Sequence, residues 1–472
     1  MGVSMVFRLT IAAFLVALSP LAAQEPWSTF RGNAQRTGSA DGKAGPANAK
    51  VLWSYASKDH YIASPVPVGD KLIVSGLGAF NTGTMSCLSL DPKAKQRVEW
   101  TKGTPFLKLP TVSSPAVFGN RIIFGEGMHQ TDGAQLYCIQ ATNGLPLWTF
   151  QAPGSLVHLE GSPTIVDGKA YIGGGAAGVI CVATDKASLD GKEFDLASLQ
   201  KELGSRWEKL VAKYESDKIK DPMFAIPPSE DQLAKASPQR VWEQGKEKWH
   251  VDAPVGVAKG KVVVASAFLD KEKVGDRAII CLDAADGKIL WRTPLKLNPW
   301  GGPSIDGDTV VITGSSINYD PKLLKGAKGF VAAYKLSDGK EIWHKDLPGG
   351  ALGCAAIIDG AVIVTATDGK VRAFELASGE RRWIYETKTP FFAPVAAAGN
   401  TAYAADILGV VHAIELKGGT SPWKLDLGAG DLKSPGMVYG GPILHQGRLY
   451  IATSNLEGPN ARGATAVVCI GE

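Results

Sequence analysis

The stretch Ala278-Ile-Ile-Cys-Leu-Asp-Ala-Ala-Asp-Gly-Lys-Ile-Leu-Trp-Arg292 decides the fold. An apolar strand, Ala278 to Asp283, runs into the turn Asp286-Gly287, and a second strand carries Trp291. Asp-Gly between apolar runs is a strong hairpin signal, because the favoured two-residue turns need positive φ. The same pattern returns in Gln140-Ala-Thr-Asn-Gly-Leu-Pro-Leu-Trp148 and in Leu336-Ser-Asp-Gly-Lys-Glu-Ile-Trp343.

Working outward, eight tryptophans take similar settings: Trp53, Trp100, Trp148, Trp249, Trp291, Trp343, Trp383 and Trp423. Most intervals are about 40–50 residues, the period of propeller blades, and one is about twice that. A second marker runs out of phase with the first. Short apolar strands flank a turn around Gly69, Gly119, Gly168, Gly260, Gly307, Gly360, Gly399 and Gly447. Two strands around each of these turns, a third strand and a tryptophan strand make four per repeat. The sequence therefore predicts an all-β, eight-bladed β-propeller of four-stranded antiparallel blades over 50–472. Trp53 precedes the first turn glycine, and no tryptophan strand follows Val467-Val468. The strand around Val51 to Tyr55 is thus expected to complete the last blade, which removes an exposed sheet edge.

Composition agrees. The chain has 55 glycines and 28 prolines in 472 residues, which suits many tight turns. Lys+Arg is 50 against Asp+Glu 46, a net charge of +4, too balanced for a dedicated nucleic-acid binder. Residues 1–23 hold Arg8, an apolar run from Ile11 to Leu18 and the small-residue exit Leu21-Ala-Ala23. They read as a secretory signal cleaved near Ala23, followed by a leader over 24–49. No later stretch is apolar for the ~18 residues a membrane span needs, so a periplasmic or secreted protein without an integral membrane segment is expected. The first cysteine is Cys87, so no lipid-anchored cysteine is expected near the cleavage point.

Six cysteines in a secreted chain suggest three disulfides. The repeat argues otherwise. Cys87, Cys138, Cys181, Cys281 and Cys469 occupy one strand slot, filled by Ala333, Ala373 and Ala413 in the other repeats. A slot that accepts Cys or Ala is small and buried. Equivalent slots in neighbouring blades lie ~10 Å apart, beyond the ~7 Å Cα limit of a bridge. Cys354 stands alone in an inner-strand stretch. No disulfides are expected.

The long interval contains an insertion, 186–248, between the third and fourth strands of the third blade. Asp195 is placed to cap a helix, and Leu196, Leu199, Leu203, Trp207, Leu210 and Tyr214 make one apolar stripe. The insertion is either a lobe packed on its own propeller or a surface for docking a partner.

Inter-blade connections and the turns between second and third strands share one face, where function tends to sit. This face is expected to carry Glu126, His129, His158, Glu160, Asp252, Asn298, Trp300, Asp320 and Phe391 as ligand-binding candidates. Two imidazoles and two carboxylates from adjacent blades can hold zinc or another divalent ion, which singles out His129, His158 and Glu160 as metal candidates. The other reading is a hydrogen-bonded polar funnel. The remaining histidines have no clustered setting in sequence; His412 takes a strand slot and His445 a surface turn.

The Asp286-Gly-Lys-Ile-Leu-Trp291 segment and its counterparts resemble the tryptophan-docking motif of pyrroloquinoline-quinone-type propeller repeats. The resemblance covers nearly the whole chain after the leader, apart from the insertion. Relatives of that type include the quinoprotein alcohol dehydrogenases and the propeller subunit of the outer-membrane β-barrel assembly machinery. The dehydrogenases resemble this chain in blade number. They use a ring-stacking tryptophan, a calcium held by Glu, Asn and Asp, a catalytic Asp and an adjacent cysteine pair. Trp300, Glu160, Asn298 and Asp320 match those roles by residue type, but no Cys-Cys dipeptide exists here. The leader Trp27-Ser-Thr-Phe-Arg-Gly32 looks like the opening of many uncharacterised secreted bacterial propellers of this repeat type.

The resemblance and the residues together lead to one expectation: a non-catalytic propeller that binds a protein or a small ligand on its loop-rich face, with no cofactor assigned. One alternative is a dehydrogenase dependent on pyrroloquinoline quinone (PQQ) and calcium. Another is a saccharide or cell-wall binding module using exposed aromatics such as Trp300, Phe391 and Phe392, whose plainer reading is that they plug the channel.

Overall fold

The computed structural model describes residues 27–39, 42–128, 131–154 and 157–472. The expected signal segment therefore lies outside the described residues. Eight antiparallel sheets make the blades: six have four strands in sequence order, the third has a fifth strand added by the insertion, and the last takes its fourth strand from the N-terminal side of the chain. The fourth blade, built from the deciding stretch, consists of Gly256–Ala258, Lys261–Leu269, Val274–Asp283 and Ile289–Pro294. The architecture is the eight-bladed propeller that the repeat implies. The last blade closes as expected: β1 (Lys50–Ser57) pairs antiparallel with Thr465–Gly471, with Trp53 opposite Cys469. On the loop-rich side, Asn455 N donates to His60 Nδ1 at 3.0 Å, so a second contact spans the closure.

One register recurs in all eight blades. The small slot of the third strand faces the tryptophan of the fourth. The pairs are Cys87–Trp100, Cys138–Trp148, Cys181–Trp242, Cys281–Trp291, Ala333–Trp343, Ala373–Trp383, Ala413–Trp423 and Cys469–Trp53. Directly opposed residues of an antiparallel pair share a face, so the indole needs a small neighbour there. All six cysteines are free and buried. Across most seams, the indole N–H donates to a carbonyl of the next blade's turn. Trp291 reaches Leu336 O at 2.9 Å, and Trp343 reaches Leu376 O at 2.8 Å. The turn glycine lies under the ring: at Gly379, with φ +69, an added Cβ would come within 2.6 Å of Trp343.

Two departures from the sequence reading concern the third blade. Its docking tryptophan is Trp242, which opposes Cys181 and donates to Ala284 O at 3.2 Å. Trp249, the residue that spacing selects, is buried in the turn beyond that strand, with its backbone N–H on Gly245 O. The fourth strand is Ser237–Gln244, so residues from 237 onward belong to the blade rather than to the insertion.

The insertion continues the third strand as Val179–Leu189, folds back through Lys192–Asp195 and enters α1 (Leu196–Lys220), the α-helix among the described residues. Asp195 caps α1 as expected, accepting from Ser198 N at 2.9 Å. Leu196, Leu199 and Leu203 are buried in a cluster with Trp148 and Ala236. The insertion also ties to its neighbours through the Lys102–Glu230 ion pair and through Gln200 on Gln140. The first half of α1 is thus packed on the propeller. Trp207, Leu210 and Tyr214 are only partly covered.

Filling the shared slot tests this packing rule. Ala413→Cys should leave stability within about 1 kcal/mol, whereas Ala413→Leu should cost ~1–3 kcal/mol by overpacking against Trp423. Trp343→Ala should cost ~3–5 kcal/mol. Urea-unfolding midpoints of the three variants measure these differences.

Candidate functional site

The inner strand of each blade presents one edge to the propeller axis, and its backbone N–H groups need acceptors there. The leader supplies them. Val117 N donates to Ser28 O at 2.6 Å; Val257, Ile305, Ile357 and Ala397 donate to Ala34, Gln35, Thr37 and Gly38, each at 2.8 Å. In the first blade the equivalent residue is Pro67, which has no N–H to satisfy. The leader therefore winds through the axis, accepting backbone hydrogen bonds from the inner strands of five blades.

Its two arginines are buried with it. Arg36 Nε donates to Val255 O at 3.0 Å, Nη1 to Thr29 Oγ1 and Phe30 O, and Nη2 to Ser162 O, Pro163 O and Thr164 Oγ1. That uses every N–H of the planar fork, a pattern lysine cannot reproduce. Arg31 reaches Ala355 O at 3.3 Å. Burial draws Arg31 down to about 10 and Arg36 down to about 9, so both stay charged at neutral pH. Cys354 lies beside them; its thiol donates to Gly301 O, and burial pushes it up to about 11.

The polar cluster of the loop-rich face is built from two adjacent connections. His158 lies between the second and third blades; His250 and Asp252 lie between the third and fourth. His158 Nε2 is 2.8 Å from Asp252 Oδ1, and His250 Nε2 is 2.9 Å from Asp252 Oδ2. One carboxylate thus joins two imidazoles whose ring centroids are 5.2 Å apart. Glu160 Oε1 is 3.9 Å from His158 Nε2. Burial alone would lower the His158 pKa, but the charge and hydrogen bond of Asp252, with Glu160, raise it to about 9. Burial also works against charge on Asp252, and the two imidazoles together overcome it, holding that carboxyl far below the usual range. The cluster can carry a fixed negative charge between two ring nitrogens, or it can ligate a cation.

The structure brings His158, Glu160 and Asp252 together, and it adds His250. Sequence reasoning passed over His250, although it lies two residues from Asp252 in extended chain, where side chains share a side. His129 lies outside the described residues. Glu126 stands apart from the cluster. It is 1% exposed, and its Oε2 accepts from Lys108 N and Leu109 N, both at 3.2 Å. Burial raises its pKa against those hydrogen bonds. Asn298 clamps backbone: its Oδ1 accepts from Phe268 N and Arg277 Nε, and its Nδ2 donates to Phe268 O. Asp320 caps a short turn by accepting from Lys322 N. Phe391 and Phe392, read either as exposed binding aromatics or as plugs of the channel, are buried at 1% and 0%. Phe392 joins Leu352, Ile407 and Met437 in a cluster against which half-buried Trp300, Tyr319 and Tyr439 pack. Aromatic side chains from successive connections therefore meet one another near the mouth. His445 is buried too, at a strand end and not on a surface turn.

The set expected for PQQ and calcium does not fit these residues. A hard cation needs oxygen donors directed at one point. Asn298 Oδ1 already accepts two hydrogen bonds, and Asp320 Oδ1 holds its own turn. Trp300 packs within the apolar cluster.

Two substitutions test the buried charges. Arg36→Ala strands several carbonyls and should lower stability by ~3–5 kcal/mol, with Arg36→Lys recovering only part of it. Glu126 has a folded pKa above its unfolded value, so the stability it contributes is complete below ~4.3 and falls as pH rises through the folded value. Glu126→Gln should therefore match the native chain at low pH and gain on it as pH rises towards 7. Unfolding midpoints across pH measure both effects.

Comparison with known proteins agrees with the fold. The family profile described as outer membrane protein assembly factor BamB matches residues 43–203, 231–322 and 299–469. BamB of Burkholderia pseudomallei (strain K96243) is 29% identical over 194 residues, covering 39% of this chain and 45% of that protein. The quinohemoprotein alcohol dehydrogenase ADH IIB of Pseudomonas putida is 33% identical over 109 residues, covering 21% of this chain and 16% of that protein. The matched stretches thus span less than half the length of these relatives. Among solved structures, BamB from Moraxella catarrhalis superposes with a TM-score of 0.56 at 15% identity, covering 89% of this chain and 97% of that one. Quinohemoprotein alcohol dehydrogenase from Comamonas testosteroni gives 0.61 at 14% identity, covering 96% and 82%. At such identities the structural likeness concerns the fold alone. The profile, by contrast, follows the repeats through most of the sequence, and the chain belongs to the BamB-type family of PQQ-like propellers.

Proposed function

We propose that this chain is a periplasmic, non-catalytic scaffold that docks a protein partner through the tip of the insertion in the third blade. One observation carries the reading. Ile219, Met223, Phe224 and Ile226 are 84%, 85%, 77% and 79% exposed at the end of α1 and just beyond it. Four large apolar side chains so exposed within eight residues exceed the scattered exposure usual on a monomer. The root of the same helix is anchored by Leu196, Leu199 and Leu203, so the tip is held out on a packed base. Kinship with proteins named outer membrane protein assembly factors supports a binding role over a chemical one. Among the described residues no helix is long and apolar enough to cross a membrane.

A second reading, a dehydrogenase using PQQ and calcium, rests on the 109-residue similarity to the Pseudomonas putida enzyme. The donors it would need are engaged elsewhere, as described above. Small-ligand or saccharide binding would draw on Trp300 and its neighbours, which pack mainly on one another.

Photo-crosslinking tests the docking reading. A photoreactive residue at position 224 should give a discrete protein adduct in intact cells, and one at Lys271 on the opposite face should not. Phe224→Glu should abolish co-purification of that adduct's partner while changing stability by no more than ~0.5 kcal/mol. Absence of an adduct at 224, or dye reduction with alcohols after loading PQQ and calcium, would sink it.

A further inference from the structure

We propose that His158, His250 and Asp252 form a binding site for a divalent transition-metal ion of the zinc class, with Glu160 as a fourth donor. The ligand atoms of the first three residues lie within 4.8 Å of one another. Zinc bonds of ~2.0–2.2 Å in a tetrahedron set donors about 3.3–3.5 Å apart, so small side-chain rotations close the site. Both imidazoles already direct Nε2 at the same carboxylate, one at each oxygen. A metal would take the place of the two protons now shared with Asp252, and all three residues would turn the same atoms toward it. The donor set is nitrogen and carboxylate oxygen, which suits zinc, copper or nickel and disfavours calcium and magnesium.

The surroundings hold the imidazoles in place. His158 and His250 are 2% and 1% exposed, whereas Asp252 and Glu160 keep side-chain exposures of 12% and 26%. The imidazoles are thus fixed in the wall, and the carboxylates open toward solvent as an access route. The backbone makes room for the first ring. Gly175 has φ +56, and a Cβ there would lie 2.8 Å from the His158 imidazole. Isolated bridges pair Gly175 with Val251 and His250 with Ala267, on either side of the ligands. His250 N donates to Ser266 Oγ at 3.1 Å, which fixes the backbone of the second ligand. Pre-set ligands on sheet-bonded backbone are what a tight site requires. This site is independent of the docking tip. The connections that carry it emerge on the face opposite the insertion.

The test uses the full mature chain, stripped of metal with chelator, and Zn²⁺ alone as the probe. Calorimetry should give one ion per chain with micromolar or tighter affinity, and Ca²⁺ or Mg²⁺ at the same concentration should give no heat above dilution. Co²⁺ should develop the visible ligand-field bands of a low-coordinate site. His250→Ala should weaken Zn²⁺ binding at least ~100-fold, since even outer-shell partners cost ~10–100-fold. Glu160→Gln should weaken it less. If His250→Ala fails to fold, Asp252→Asn keeps the side-chain volume and should abolish the Co²⁺ bands. A native chain that binds no Zn²⁺ stoichiometrically, or a folded His250→Ala variant with unchanged affinity, overturns the proposal and leaves the cluster as a hydrogen-bonded strut.

Discussion

Every blade depends on a tryptophan that finds a small residue beside it, and in six of the eight the indole also finds a carbonyl beyond it. The indole lies across the third strand, where only Cys or Ala leaves room, and its N–H leaves the blade for the next one. A blade by itself would expose that ring and waste that donor. The ring of blades is therefore stabilised seam by seam, and the last seam has to find its carbonyl in an unusual place. Trp423 donates to Pro46 O at 3.2 Å, a carbonyl of the segment that leads into β1 and not of a turn. The stretch from Pro46 to Ser57 thus serves twice, as acceptor for the seventh blade and as fourth strand of the eighth. Two seams lack the bond. The Trp53 ring is covered instead by the Arg97 guanidinium at 4.3 Å, and Trp148 is covered by the insertion through Ala236.

This repetition made the fold legible. A rule used eight times leaves eight traces, and strand, turn and slot could be read from spacing. The reading slipped where the rule was interrupted. The insertion removes the turn glycine that fixes phase, so spacing alone moved the third blade's tryptophan seven residues along, from Trp242 to Trp249. The slot residue Cys181 held the missing phase, because its partner had to be a tryptophan in a paired strand. The candidate site was less legible for a related reason. Loops do not repeat, and nothing in sequence joins His158 to Asp252, 94 residues away. Glu126, Asn298 and Asp320 have the right chemistry for a ligand, but each is occupied with nearby backbone. Residue type cannot distinguish a carboxylate that caps a turn from one that awaits a cation.

The leader was invisible for a deeper reason. Its carbonyls meet Val117, Val257, Ile305, Ile357 and Ala397, a set drawn from five blades. No local pattern encodes such a path. Its energetic role is plain once seen. Inner strands would otherwise line the axis with unpaired N–H groups, and two arginines would have no reason to enter an apolar barrel. With the leader in place, each supplies what the other lacks: the blades give carbonyls to Arg36, and the leader gives carbonyls to the blades. The axis is thus filled by the leader itself, which the inner strands and the buried arginines hold in place.

The third blade carries both departures from regularity, on opposite faces. Its third strand, Val179–Leu189, starts at the turn that cradles His158 and ends at the base of the insertion. In other blades this strand stops at the docking turn. Here it runs on, since the seam it would have served is closed by the insertion itself, with Thr149 N on Ala236 O at 2.9 Å. Releasing that turn from the docking rule frees the blade to grow outward on one face. On the other face, the two connections flanking the blade are pinned together by Asp252 between two imidazoles. A blade that gave up a regular seam gained a cross-link at its opposite end. The irregular chemistry and the irregular chain thus gather in the same eighth of the ring.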